Sequence, residues 1–403
     1  MPPIDSATLR RIIDSRGNPT VEAEVRIGTI VGRVAAPSGA STGVHEAQAL
    51  PPGGVEEALR VFRAEVAPKL VGQDVADQEG VDDLLRRIDA TTTFARIGGN
   101  VAVCVSLAVA KAAAAVAGVP LFRHLGGPKG ASLPFPFGNV IGGGRHGIGG
   151  TTIQEFLVVS QGPGFAGNAF ANARVHRLVG QILTKRLPSE ALGRGDEGAW
   201  VAKLADEDAL GILGDACRVV AKEVGFPVQP ALDMAASEFF RDGRYIYRER
   251  ALTPEEQIDF VDGLIREHGL YAVEDPLDQE DFAGFAVLTK RAGAHCRLIG
   301  DDLFVTSVER LQKGIRMGAG NAILIKPNQI GTLTETRAAV DLAHRAGFAT
   351  VVSHRSGETT DDTIAHLAVA FGSLGIKTGT VGGERTAKLN ELIRIEEQLH
   401  GGT

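Results

Sequence analysis

Between positions 231 and 377 six short apolar runs each end on a polar or charged side chain. They are Ala231-Leu232-Asp233, Tyr271-Ala272-Val273-Glu274-Asp275, Leu298-Ile299-Gly300-Asp301-Asp302, Ala322-Ile323-Leu324-Ile325-Lys326, Thr350-Val351-Val352-Ser353-His354 and Leu374-Gly375-Ile376-Lys377. Their ends recur at close to the roughly 30-residue length of one βα unit. Amphipathic stretches at Pro254–His268, 308–314 and 332–346 lie between them. Strands alternating with helices predict a largely parallel sheet. A closed parallel barrel would gather all six polar ends on one face, where such folds carry their active sites. A doubly wound open sheet, its charges merely ending strands at solvent, has the same period; the barrel is favoured because six polar ends then converge.

The first third has a different texture. Residues 7–33 alternate apolar and polar side chains, as in Val21-Glu22-Ala23-Glu24-Val25-Arg26-Ile27, with Gly17-Asn18-Pro19 and Gly28 as turn signals. This predicts a half-buried antiparallel meander. After the Gly/Ser-rich segment 37–43, residues 55–126 read as helical, including an alanine-rich run at 101–117. Strands followed by helices predict a separate α+β domain at 1–128, capping a barrel at 129–403. A length of 403 residues accommodates both.

Composition narrows the partners. With 44% hydrophobic and 23% charged residues, disorder and fibrous structure are excluded. A formal charge of −7 disfavours nucleic acid and anionic bilayers. Cys104, Cys217 and Cys296 are scattered, without CxxC spacing, which fits a reducing compartment rather than a disulfide framework. No apolar run is expected to reach the roughly 20 residues of a membrane span. The start, Met1-Pro2-Pro3-Ile4-Asp5, lacks the pattern of a secretory signal, so a cytoplasmic location is expected.

Asp233, Glu274 and Asp301 end successive runs, and three such anions cannot share a site without a proton or a cation. Oxygen ligands with no His or Cys partner suit Mg²⁺; solvated strand caps would explain any one of them alone. Lys326, His354-Arg355-Ser356 and Lys377 form a cationic arc on the following runs. Arg355 with Ser356 suits a phosphate. A lysine beside a divalent cation can lose its proton and act as a base, and a metal plus a lysine is an established pairing for removing a proton alpha to a carboxylate. His146, in the stretch Gly142-Gly143-Gly144-Arg145-His146-Gly147, reads by itself more readily as a loop hydrogen-bonder than as a site residue. No GK[ST] follows the glycines, so a nucleotide cradle is not expected there.

These residues lie within blocks that resemble the enolase family along essentially the whole chain. The blocks include Ile13-Asp14-Ser15-Arg16-Gly17-Asn18-Pro19, Pro37-Ser38-Gly39-Ala40-Ser41-Thr42-Gly43, Ile153-Gln154-Glu155-Phe156 and Gly195-Asp196-Glu197-Gly198. In the second half they continue with Ala231-Leu232-Asp233-Met234, Glu274-Asp275-Pro276, Gly300-Asp301-Asp302-Leu303, Lys326-Pro327-Asn328-Gln329, Ser353-His354-Arg355-Ser356-Gly357-Glu358-Thr359 and Ile376-Lys377-Thr378-Gly379. Many matching blocks in the right order are far more specific than any one of them.

The resemblance implies a (β/α)8 barrel of the enolase type behind an N-terminal α+β domain, and a Mg²⁺-dependent dehydration of 2-phosphoglycerate to phosphoenolpyruvate through an ene-diolate. It implies that Asp233, Glu274 and Asp301 hold one Mg²⁺, that Lys326 takes the alpha proton, and that Glu197 protonates the departing hydroxyl with Glu155, His146 and Gln154 beside it. Arg355 and Ser356 would bind the phosphoryl group, Lys377 would face the substrate carboxylate, and His354 would lie near the carboxylate and leaving group. The Ser41 loop would close over the site and bring a second Mg²⁺. Glu197 must be neutral to act, and an anionic Glu155 beside it would raise its pKa. A homo-oligomer, dimer or octamer, is also implied.

The chain departs from the family's usual pattern at Arg145, at Ala199-Trp200-Val201-Ala202, at Thr360-Asp361, at His366 and at 380–385. Retained catalytic residues in altered surroundings leave a second possibility. It is a relative of the carboxyphosphonoenolpyruvate synthase type, acting on a 2-phosphoglycerate analogue with a carboxylate on phosphorus, with Arg145 and the Trp200 loop as the places where an extra anion would be met. An inactive enolase-like binding scaffold is the alternative of another class.

Overall fold

The computed structural model describes residues 2–39, 43–127, 132–147, 149–188 and 192–401. Three antiparallel strands, Ser6–Ile13, Pro19–Ile27 and Ile30–Ala35, open the chain as a meander. The first turn is set by Asp14, whose Oδ1 accepts from the Arg16 and Asn18 amides at 2.9 and 2.8 Å. Helices Gly54–Val61, Gln78–Asp89 and Gly99–Val116 follow.

Gly99–Val116 is apolar on all sides because it is packed on all sides. The strand Ile30–Ala35 crosses it so closely that a Cβ on Gly32 would meet the Ala108 carbonyl at 2.0 Å. By length and composition this helix could cross a membrane, contrary to the expectation that no run comes close. Here 83% of it is buried inside the fold, as in a core helix.

Eight strands close the second domain into a barrel. In chain order they are Phe135–Gly142, Glu155–Ser160, Val228–Asp233, Ala272–Glu274, Arg297–Gly300, Ala322–Ile325, Ala349–Ser353 and Gly375–Lys377; the last pairs in parallel with the first, Gly375 opposite Phe135. The interior is filled by Phe137, Leu157, Val159, Ile299, Leu324 and Val351 with smaller Ala231, Ala272 and Ala322. Large side chains thus alternate with small ones, as a narrow barrel requires. The expected helices form where sequence signals start them. Thr253 caps Pro254–His268 in a reciprocal box with Glu256, with Pro254 at the first helical position.

One expectation needs correction: the barrel is not parallel throughout. Glu155–Ser160 runs antiparallel to both neighbours, Phe135–Gly142 and Val228–Asp233. Among its described residues, the glycine-rich stretch 143–154 that joins it to the first strand contains no helix beyond one short turn at Gly144–His146, and it returns the chain directly instead of crossing over. The strand therefore presents its beginning, not its end, at the functional face. Helices Phe165–Arg186 and Asp206–Val224 then precede the next strand.

Candidate active site

Strand register places the polar ends together. Glu274 is opposite Asp233, Asp233 is opposite Glu155, and Ser353 is opposite Lys377. Asp301, Lys326 and His354 each follow directly on a strand end. All of these groups are buried apart from the partly covered Lys326, and all but Glu274 line one polar cavity shared with Gln154, His146, Glu197, Arg355 and Ser356; Glu274 joins them through Lys377. Ser41 lies outside the described residues.

Two lysines hold the acids. Lys377 Nζ is 2.8 Å from Asp233 Oδ2, 2.7 Å from Glu274 Oε2 and 3.3 Å from Glu155 Oε1. Lys326 Nζ is ion-paired to Asp301, whose other oxygen accepts from Gln329 Nε2 at 2.8 Å. Burial disfavours both ammonium charges, but Asp301 outweighs it at Lys326, and Asp233, Glu155 and Glu274 outweigh it at Lys377; both are held protonated. Burial and Asp233 in turn push the Glu274 carboxyl well above the usual range.

The acidic groups fit a hard cation. Glu274 Oε1, Glu155 Oε2 and Gln154 Oε1 are buried oxygens without a hydrogen-bond partner among the described residues. Buried lone pairs of this kind are costly unless a cation or water meets them. Asp275, Asp301 and Asp302 also bring oxygens within 4.8 Å of one another. Burial and Asp301 push Asp302 up to about 7, a second sign of uncompensated negative charge. Asp275 itself is engaged, accepting from the Asp301 and Asp302 amides at 3.0 and 2.7 Å, and so orients that loop.

On the other side of the mouth His146 Nδ1 lies 3.3 Å from Glu155 Oε1 and 3.7 Å from Glu197 Oε1. Glu197 sits in a tight turn at φ +65°, a strained conformation for a residue other than glycine. Asn139 Nδ2 donates to its Oε2 at 3.0 Å, and His354 Nε2 is 3.2 Å from its Oε1. Burial and the charge of Glu197 push the Glu155 carboxyl up to about 7. Burial acts likewise on Glu197, yet His354 and His146 hold it well below the usual range. Of the two acids, Glu155 is thus the one pushed up and Glu197 the one pushed down, opposite to the rise expected for Glu197.

Arg355 and Ser356, expected to meet a phosphate, also line this cavity. Arg355 is bound by Glu46 of the N-terminal domain, NH1 to Oε2 at 2.8 Å and NH2 to Oε1 at 3.2 Å, and by Asn328 Oδ1 at 3.1 Å. Sequence reasoning missed Glu46, Asn139, Asp275, Asp302 and Gln329 as site residues. Asp275 and Asp302 stand beside recognised ligands in their motifs and could have been found by that adjacency. The two departures offered as anion sites face elsewhere. Arg145 is paired with Glu238 at 2.6 Å, and Trp200 stacks on His176, donating its ring N–H to the His176 carbonyl at 2.9 Å.

A closed barrel with acids, lysines and an arginine around one polar cavity defines a barrel enzyme built to hold a hard cation beside an anionic ligand. Two family models match, "Enolase, N-terminal domain" over residues 4–125 and "Enolase, C-terminal TIM barrel domain" over residues 130–403. The chain is 51% identical to the enolase of Methanothermobacter thermautotrophicus over 98% of its own length and 97% of that protein's. It is 53% identical to the enolase of Natronomonas pharaonis, covering 98% of each. The enolase of Thermoplasma acidophilum is 45% identical over 98% of this chain and 99% of its own. The chain belongs to the enolase family.

Proposed function

We infer that this site removes water from 2-phosphoglycerate to give phosphoenolpyruvate, as a phosphopyruvate hydratase. The observation that carries the assignment of roles is topological. The strand leading to Lys326 and the strand beginning at Glu155 are four apart in a ring of eight, so the lysine and the Glu155–Glu197 pair stand on opposite sides of the mouth. A base on one side and an acid on the other suit an elimination in which a proton leaves C2 and hydroxide leaves C3.

Lys326 takes the C2 proton. Glu197 delivers a proton to the departing C3 hydroxyl, supplied through Glu155 and His146, and Gln154 and His354 complete that wall. Arg355 and Ser356 hold the phosphoryl group, exchanging part of the Arg355–Glu46 contact for it. Lys377 faces the substrate carboxylate. The family uses Mg²⁺; Asp233, Glu274 and Asp301 would hold one ion, and Ser41 would contribute to a second. When bound, Mg²⁺ supplies positive charge against the extra negative charge that C2 deprotonation creates. With Asp301 engaged by such an ion rather than by Lys326, the lysine would be free to act as a base.

We place the domain boundary at 128/129, supported by the limits of the two family matches, and the protein in the cytoplasm as a homo-oligomer, dimer or octamer. Free, buried Cys104, Cys217 and Cys296 support a reducing compartment. No observation favours the phosphonate-type substrate or an inactive scaffold. The test is the Mg²⁺-dependent rise in enolpyruvate absorbance with 2-phosphoglycerate. Robust turnover is expected; feeble turnover would favour the phosphonate analogue, and none the scaffold. Light scattering checks the assembly.

A further inference from the structure

Arg385 lies in the first turn of the last helix, Gly383–Leu399, and is 0% exposed. Its NH1 donates to His354 Nδ1 at 2.8 Å and to the Arg355 carbonyl at 2.7 Å, and its NH2 to the Ser356 carbonyl at 2.6 Å. Glu384 stands 3.2 Å from its Nε and compensates the charge. A guanidinium has only N–H donors and keeps its proton throughout, so any nitrogen it faces must offer a lone pair. Nδ1 of His354 is therefore the acceptor, and the ring hydrogen is on Nε2. That is the nitrogen lying 3.2 Å from Glu197 Oε1. The backbone N–H of His354 donates to the Lys377 carbonyl at 2.9 Å, which anchors the ring's base to the barrel wall.

We propose that Arg385 is a positioning residue for the elimination: it fixes His354 as the Nε2–H tautomer, holds that edge of the ring within 3.2 Å of Glu197, where a small rotation would complete the hydrogen bond that Nε2 otherwise lacks, and pins the backbone of Arg355 and Ser356. With the other tautomer, a ring lone pair would face a carboxylate oxygen, and Glu197 would be repelled from the orientation in which it meets the leaving hydroxyl. Arg385 touches no reacting atom; it acts through His354 on one side and through two carbonyls on the other. The proposal rests on Glu197 being the acid.

The test is nitrogen NMR of the whole Mg²⁺-loaded enzyme with isotope-labelled histidine, the His354 signals identified by their loss in His354→Asn. The wild type is expected to show His354 unprotonated at Nδ1 and protonated at Nε2. A hydrogen on Nδ1 would overturn the proposal without recourse to any variant. Arg385→Met is expected to lose that signature and about 100-fold in kcat, the lower end of what a general acid contributes. Alpha-proton exchange, which belongs to Lys326, should stay within about twofold. Arg385→Lys, which keeps a donor, is expected to restore part of both the signature and kcat. If Arg385→Met does not fold, the wild-type spectrum and the lysine variant decide. An unchanged His354 tautomer or unchanged dehydration in Arg385→Met would defeat the proposal. Should Glu197→Gln also dehydrate normally, the acid assignment is what has failed.

Discussion

Glu155 and Asp233 occupy the same rung of the barrel although one begins its strand and the other ends it. This follows from the reversed second strand, and it puts a carboxylate with a pKa near neutrality next to one that faces Lys377. On the roles proposed above, the mouth thereby divides into an acid side, built on the first two strands and the Glu197 turn, and a base side built on later strand ends.

Separating the two proton transfers tests this division. Lys326→Ala is expected to abolish exchange of the C2 hydrogen with solvent, whereas Glu197→Gln retains exchange and loses dehydration by about 10²–10⁴-fold. Deuterium wash-in followed by proton NMR reads both. Equal exchange in the two variants would contradict the assignment of base and acid.

Removing divalent cation with a chelator should abolish turnover, and Mg²⁺ should restore it. Asp233→Asn and Glu274→Gln should each weaken Mg²⁺ binding by at least about tenfold, since even groups outside the coordination sphere affect affinity by about 10–100-fold. Calorimetric titration measures it; undiminished affinity would remove those residues from the ligand set.

Glu46→Gln removes the carboxylate directly paired with the buried Arg355 guanidinium. Breaking such a pair costs about 3–5 kcal/mol, so the melting temperature should drop. Saturating 2-phosphoglycerate should recover more of that loss than it adds to the wild type, because its phosphoryl group takes the place of Glu46. Differential scanning fluorimetry with and without substrate reads the difference; equal gains would argue against phosphoryl binding at Arg355.

Burial pushes His176 down to about 4, while its Nε2 contacts the Gly198 carbonyl at 2.9 Å behind the acid turn. Above about pH 6.5 the ring is neutral in both folded and unfolded chains, and its contribution to stability is constant. Below that the unfolded chain binds the proton first, so stability falls as pH drops from about 6.5 toward 4 and levels off beneath. His176→Gln should flatten part of that slope in urea unfolding at successive pH values. An unchanged slope would show that His176 titrates normally.

The parts legible in the sequence are those encoded locally. The period of polar strand ends gave Asp233, Glu274, Asp301, Lys326, His354 and Lys377 because each sits at the end of an apolar run. The amphipathic pattern of Pro254–His268 announced a helix that the structure shows capped by Thr253 and Glu256. Glu155 and Glu197 came only from the family resemblance, since no local rule distinguishes an acid in a glycine-rich turn. Strand direction was lost because alternation of side chains is the same read forwards or backwards. The missing signal was the absence of any helical pattern between Gly142 and Glu155, too little for a parallel crossover. Arg385 and Glu46 read as ordinary surface charges; their partners, His354 and Arg355, lie far away in sequence and meet them only through packing.

The Glu46–Arg355 pair ties the catalytic pocket to the opening α+β lobe. A barrel expressed alone would lose the carboxylate that grips this buried guanidinium from outside the barrel, so the lobe is no detachable ornament. Grafting the mouth of this enzyme onto another scaffold would fail unless that one glutamate travelled with it.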